Sequence, residues 1–169
     1  MIGQTIIPGS ASGNILACSE GLSFWGGVDP VTGIVIDAHH PLCGQSIAGK
    51  ILVMPTTRGS CSGSGVMLDL ALNGIAPAAF VFQQAEDVVT LGAMIAGKMF
   101  ERPVPVLRLD AEAFAMAAAA QSATLSDGLL KVDGIAVPLE SLALAPVMDV
   151  QVFEMAFPRN SCGENSPPM

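Results

Sequence analysis

The 169-residue sequence contains no tyrosine, one tryptophan and seven phenylalanines, so any hydrophobic core must be built from Ala, Val, Ile, Leu and Met. Basic residues are also scarce. Seven Lys and Arg stand against fifteen Asp and Glu, a net charge of −8. That balance excludes nucleic acid and an anionic membrane face as partners, because both are held by clustered cations. Long apolar runs are missing too: residues 75–82, with Pro77 inside, and residues 113–120 are the longest. They fall well short of the roughly 18–20 residues that span a bilayer. The first ten residues hold neither the basic stretch nor the apolar run of a secretory leader, which points to the cytoplasm.

What remains is 51% apolar and only 13% charged. The aliphatic content excludes disorder, and the length suits one domain. A surface so short of charge points to contact with another protein. Cysteines stand at positions 18, 43, 61 and 162, a spacing that matches neither a CxxC pair nor a zinc pattern. In a reducing compartment they are expected to be thiols, and no metal site is assigned to this chain.

Gly, Pro and Asn break the first third of the chain into short strand-like runs at residues 4–7, 13–17, 31–37 and 50–54. Residues 34–36 and 51–53 are continuous apolar runs, the pattern of strands buried on both faces. This predicts that both lie centrally in a sheet. A polar turn over 56–65 leads into a helix that stops at Gly74, followed by a strand at 76–83, a helix at 85–98 and a strand at 104–109. Two successive crossovers define an α/β fold. Asp110 is placed to cap a third helix, and residues 124–132 and 135–138 read as a hairpin around Asp133-Gly134. From Pro146 the pattern fades, so we expect a domain over 1–145 and a C-terminal extension and tail over 146–169.

The segment Arg58-Gly59-Ser60-Cys61-Ser62-Gly63-Ser64-Gly65 carries the most chemistry. Hydroxyls and glycines between a buried strand and a helix gather backbone N–H groups and a helix N-terminus around one point, which attracts carboxylate or phosphate. No Gly-Lys-Ser/Thr follows, so this is not a nucleoside triphosphate loop. Two readings stand. One is a serine-rich helix cap. The other is a serine base, its alkoxide stabilised by amide donors, the helix end and Arg58. A hydrolytic serine needs a histidine, and only His39 and His40 exist, while the Gly-x-Ser-x-Gly spacing is not met. Adjacent residues on a strand point to opposite faces, so one exposed and one packed histidine is expected. In Gly26-Gly27-Val28-Asp29-Pro30, Asp29 either initiates a turn or faces a ligand that the glycines let approach.

Read in order, Gly26-Gly27-Val28-Asp29-Pro30-Val31-Thr32-Gly33, Ile36-Asp37-x-x-His40-Pro41, Gly49-Lys50, the Arg58 to Ser64 segment and Asn73-Gly74-Ile75-Ala76-Pro77-Ala78-Ala79 resemble the small, swivelling subunit of the aconitase X family over residues 3–140. The resemblance implies a swivelling β/β/α domain that closes over a large subunit carrying an iron or iron-sulfur centre. The active site then lies between the two. It also implies a dehydratase, since the family's known activities are dehydration of cis-3-hydroxy-L-proline to Δ1-pyrroline-2-carboxylate in bacteria and of mevalonate 5-phosphate in archaea. By analogy with the Gly-Ser-Ser base of aconitase, Ser60 would remove the substrate's α-proton, with Ser62 as the alternative base. Arg58, Gly59, Cys61, Ser62 and Asp29 would bind the small hydroxy acid, Arg58 through its carboxylate. The metal belongs to the partner, because the cysteines here lack a cluster pattern.

Archaeal members read Gly-Ser-Thr-Val-Gly-Ser where this chain has Gly59-Ser60-Cys61-Ser62-Gly63-Ser64, and the altered middle favours the bacterial substrate. Mevalonate 5-phosphate remains the alternative within the family. Two other classes stay open: a phosphohistidine-type carrier using His39 or His40, and a non-catalytic structural or regulatory subunit.

Overall fold

The computed structural model describes residues 1–141. The expected extension over 146–169 lies outside the described residues. Eight strands form: β1 (Gly3–Ile7), β2 (Ala11–Ala17), β3 (Ile51–Met54), β4 (Ala79–Phe82), β5 (Val106–Leu109), β6 (Ser122–Ser126), β7 (Leu129–Val132) and β8 (Ile135–Ser141). Three helices join them, α1 (Gly63–Leu72), α2 (Val88–Phe100) and α3 (Ala111–Ala119). The strands close into a barrel in the order β1-β5-β4-β3-β2-β6-β7-β8. Within it β2, β3, β4 and β5 run parallel. β1 seals the seam, antiparallel to β5 and parallel to β8.

Alternation along the central strands sorts their side chains between two cores. Leu52, Met54, Phe80, Phe82 and Val106 pack with α1 and α2. Ile51, Val53, Ala79, Val81, Leu107 and Leu109 fill the barrel, together with Ala113 and Ala117 of α3. The continuous apolar runs of β3 and β4 follow directly, because neither face meets water. Asp110 caps α3 as its sequence position predicts, its carboxylate accepting the Ala113 N–H at 2.8 Å.

Two strand expectations are corrected. Residues 31–37 are not a central strand. Val35 is buried, but Val31, Ile34 and Ile36 are exposed, and the segment makes only isolated bridges, Val28 to Val35 and Ile34 to Ser46. It belongs to an irregular excursion over residues 18–50 that connects β2 to β3. Leu22, Phe24, Val28, Val35, Leu42 and Ile47 anchor that excursion in the helix-side core. Nor is 124–132 one strand. Asp127-Gly128 turns β6 into β7 just as Asp133-Gly134 turns β7 into β8, with φ of 52°, 73°, 46° and 85° in turn. Positive φ at both central residues is the hairpin conformation that suits strand twist, and Asp-Gly tolerates it. Among the described residues no helix is long and apolar enough to cross a membrane.

Candidate active site

β2 and β3 are parallel neighbours, so their carboxyl ends release the 18–50 excursion and the 55–62 turn on one rim of the barrel. The carboxyl ends of parallel strands are where α/β folds bind ligands. The two segments are joined to each other. The Arg58 N–H donates to the Leu22 carbonyl at 3.2 Å, and Ser23 pairs with Arg58 as an isolated bridge.

Gly59 has φ of 94°, and a Cβ there would lie 2.4 Å from Ser23 Oγ. Only glycine suits this position. Ser60, Cys61 and Ser62 follow, all exposed. Ser60 Oγ accepts the Ser62 N–H at 3.2 Å, and its own hydroxyl donates to Ser62 Oγ at 3.2 Å. Ser62 begins α1 but makes no side-chain cap. The helix-cap reading of this segment therefore does not describe Ser62, whose N–H reaches Ser60 Oγ instead. The amides of Gly63, Ser64 and Gly65 donate to the carbonyls of Ser60, Cys61 and Ser62. They are not available to a ligand. Cys61 contributes its carbonyl, which accepts the Ser64 hydroxyl at 2.9 Å.

Sequence reasoning left out Asp37. Its carboxylate forms a 2.9 Å ion pair with Arg58, fixing one guanidinium nitrogen and leaving the other donors for a ligand. The His39 N–H and Arg58 hold the Asp37 carboxyl below its ordinary value, against desolvation. Its signal lay in the Asp37-x-x-His40 motif, since an Asx turn over His39 needs this residue type. An open cleft of about 380 Å³ lies between Ser23, Trp25, the Gly26-Gly27 backbone, Asp37, Arg58 and Gly59. Ser60 is the next residue along from that cleft. A larger cleft of about 620 Å³, lined by Asn14, Gln45, Ser46, Lys50 and Gln121 among others, shares no residue with it.

Asp29 sits apart from this cleft. Its carboxylate accepts the Val31 N–H at 2.9 Å and the Thr32 hydroxyl at 2.8 Å, which hold it below the ordinary carboxylate value. It stabilises its own turn. His40 is 3% exposed and His39 is exposed, as the one-in, one-out expectation has it. His40 Nδ1 accepts the Leu42 N–H, so its Nε2 carries the proton toward Cys18 Sγ, 3.9 Å away. With both ring nitrogens engaged inside the core, His40 is no phosphoryl carrier and no activator of Ser60.

A closed barrel with α1 and α2 packed on one core, α3 on the other, and a serine turn and an arginine cleft on one rim is the architecture of a swivelling domain. A family model described as the aconitase X swivel domain matches residues 1–132, and the chain belongs to that family. It is 41% identical, over 97% of its length, to cis-3-hydroxy-L-proline dehydratase of Pseudomonas aeruginosa, of which it covers 29%. The chain thus spans less than a third of the length of that relative. It is 46% identical over 63% of its length to the phosphomevalonate dehydratase small subunit of Thermococcus gammatolerans, covering 82% of it. The crystal structure of Thermococcus kodakaraensis aconitase X in its holo form superposes with a TM-score of 0.63 at 35% identity, over 82% of this chain and 97% of that one.

Among the described residues no three His, Cys, Asp or Glu side chains gather where they could hold a metal ion. Cys18 and His40 do meet, but inside the core, and Cys43 and Cys61 are exposed. The described residues therefore do not fit an iron centre.

Proposed function

We propose that this chain is the swivelling half of a hydro-lyase that dehydrates cis-3-hydroxy-L-proline to Δ1-pyrroline-2-carboxylate, completed by a large aconitase X-type unit that carries iron or an iron-sulfur cluster. The reading rests on the 41% identity that continues over 97% of the chain. The archaeal similarity covers only 63%. The cleft supports the same choice, because its one lining cation, Arg58, is already paired with Asp37, whereas a substrate bearing both phosphate and carboxylate calls for more positive charge.

In this reading Ser60 Oγ, as the alkoxide, removes the C2 proton of the substrate. The C–H electron pair forms the C2–C3 double bond, and the C3 hydroxyl departs as water once protonated. The resulting enamine tautomerises to the imine. Iron on the partner would supply Lewis-acid help to that departure. Ser60 rather than Ser62 is assigned the proton because the Ser62 N–H donates to Ser60 Oγ, and a donor aimed at an oxygen favours its charged form. Arg58 receives the substrate carboxylate with the nitrogens that Asp37 leaves free. Gly59 sets the turn, and Cys61 and Ser62 border the substrate on the helix side. Asp29 keeps the loop beneath in shape. We place the enzyme in the cytoplasm, where Cys18, Cys43 and Cys61 stay reduced.

The test is reconstitution with the large unit and assay of both substrates. Loss of cis-3-hydroxy-L-proline with no loss of mevalonate 5-phosphate is expected. Ser60→Ala should lower kcat by about 10²–10⁴, the range of a general base, while the complex still assembles. Undiminished turnover in Ser60→Ala rejects the base assignment, and turnover of mevalonate 5-phosphate alone rejects the substrate.

A further inference from the structure

We infer that Trp25 determines substrate specificity, its indole forming the wall of the cleft against which the positively charged ring nitrogen of a cyclic amino acid binds. The inference rests on the function proposed above and names the part of this chain that recognises the substrate's cation.

Trp25 is the only tryptophan in the chain and is 62% exposed, whereas its neighbour Phe24 is 1% exposed. The indole therefore has no part in either core. Its backbone is nonetheless held firmly: Ser23 Oγ donates to the Trp25 carbonyl at 3.0 Å, and the two residues that follow are glycines. A Cβ at Gly27 would lie 2.1 Å from the Ser23 carbonyl oxygen, so this turn closes only with glycine. A rigid turn that presents a large aromatic side chain to solvent, on the cleft that also holds the Arg58–Asp37 pair, is built to receive something.

The chemistry of the cleft selects what that is. Arg58 takes a carboxylate. The face of an indole and the Asp37 carboxylate both attract a cation, the first through the ring quadrupole. The flat ring also covers methylene groups. A molecule with a carboxylate, an adjacent ammonium and a short hydrocarbon ring matches all three walls, as a hydroxyproline does. A phosphorylated hydroxy acid has no cation for Trp25 and brings a second anion toward Asp37. The same side chains thus favour the zwitterion and disfavour the phosphate ester.

The experiment uses the reconstituted two-part enzyme with Trp25→Leu and Trp25→Phe. Trp25→Leu should raise KM for cis-3-hydroxy-L-proline by roughly 3- to 30-fold, the range of a cation–aromatic contact, with kcat changed far less. Trp25→Phe should recover most of the loss. Two competitive inhibitors isolate the charge: Ki for L-proline should rise in Trp25→Leu in step with KM, while Ki for tetrahydrofuran-2-carboxylate, with oxygen in place of the ring ammonium, should stay constant. Equal changes for both inhibitors, an unchanged KM, or failure of Trp25→Leu to assemble with the large unit each overturn the assignment, the last by putting the indole under the partner. If the wild-type complex does not turn over cis-3-hydroxy-L-proline, the functional reading itself fails and the assignment falls with it. Turnover by the wild type with unaltered constants in Trp25→Leu overturns the Trp25 assignment alone.

Discussion

Replacing Gly59 by alanine tests how tightly the turn before Ser60 is built. The residue has φ of 94°, and the added Cβ would stand 2.4 Å from Ser23 Oγ and 3.1 Å from Ser23 Cβ. Positive φ costs a residue with a Cβ about 1–2 kcal/mol. Relief of the oxygen contact requires Ser23 Oγ to turn away and give up its 3.0 Å bond to the Trp25 carbonyl, a loss of about 1 kcal/mol. The Ser23 Cβ contact remains, so the backbone must also move. Together these give about 2–3 kcal/mol, and at about 2–4 °C per kcal/mol for a chain of this size Tm should fall by roughly 4–12 °C. The effect on turnover should be larger than the effect on stability. Ser60 follows directly, and a misplacement of about 1 Å is enough to lower rate by about 10². The assay pairs a thermal melt with initial rates of cis-3-hydroxy-L-proline loss by the complex. Ser23→Gly removes both crowding atoms, so Gly59→Ala should be less damaging in that background, with a coupling of about 0.5–3 kcal/mol. Wild-type Tm and kcat in Gly59→Ala would refute the reasoning, as would strict additivity of the two substitutions.

Three further outcomes follow from the same geometry. Asp37→Asn removes the ionic hold on Arg58 and should raise KM for the amino-acid substrate several-fold with little change in Tm, read from steady-state kinetics and a melt of the same preparation. Leu107→Ala opens a cavity inside the barrel, where Leu107 is fully buried, and should destabilise by about 2–5 kcal/mol in urea titration while folded molecules keep normal kcat. Asp29, Asp37 and Asp110 all have carboxyls lowered from 3.8, Asp110 by the Ala113 and Ile2 N–H groups before other causes. A lowered folded-state pKa contributes stability above the unfolded value and loses it as pH falls through the folded one. Tm should accordingly stay level on acidification to about pH 5 and drop below about pH 4, and Asp110→Asn should shrink that drop.

The parallel half of the fold was legible because each of its elements carries a local signal. β3 and β4 are apolar at every position, since both faces are buried, and Asp110 announces α3 by its capping chemistry. Residues 31–37 misled because an apolar run looks the same whether a partner strand lies beside it or not. Here none does. Ile34 and Ile36 face solvent, and only Val35 reaches the core. The hairpin after α3 was half legible: Asp133-Gly134 was read as a turn, but the same dipeptide at Asp127-Gly128 was absorbed into a strand because leucines flank it. In the site, glycines and serines crowded between a strand and a helix drew notice to Arg58, Ser60 and Ser62. Asp37 stands in the Asp37-x-x-His40 motif, but its partnership with Arg58 spans 21 residues and exists only because β2 and β3 end side by side, and Trp25 carries no local cue at all.

That adjacency has a structural cause. Parallel neighbours cannot be joined by a tight turn, so the chain must leave the end of β2 and travel back before it can enter β3. A helix makes that journey from β3 to β4 and from β4 to β5, but from β2 to β3 it is made by residues 18–50 without one. An irregular path of this length keeps its shape only if it carries its own apolar anchors, and Leu22, Phe24, Val28, Val35, Leu42 and Ile47 supply them at short intervals. Between the anchors the backbone is free to point polar and aromatic groups outward, which is how Ser23, Trp25 and Asp37 come to stand on a firm base beside the turn that holds Ser60. In the proposed enzyme, anchoring of this kind would hold these side chains in place ahead of substrate binding. In the function proposed above, closure over the substrate would then fall to movement of the whole domain, the motion expected of a swivelling unit.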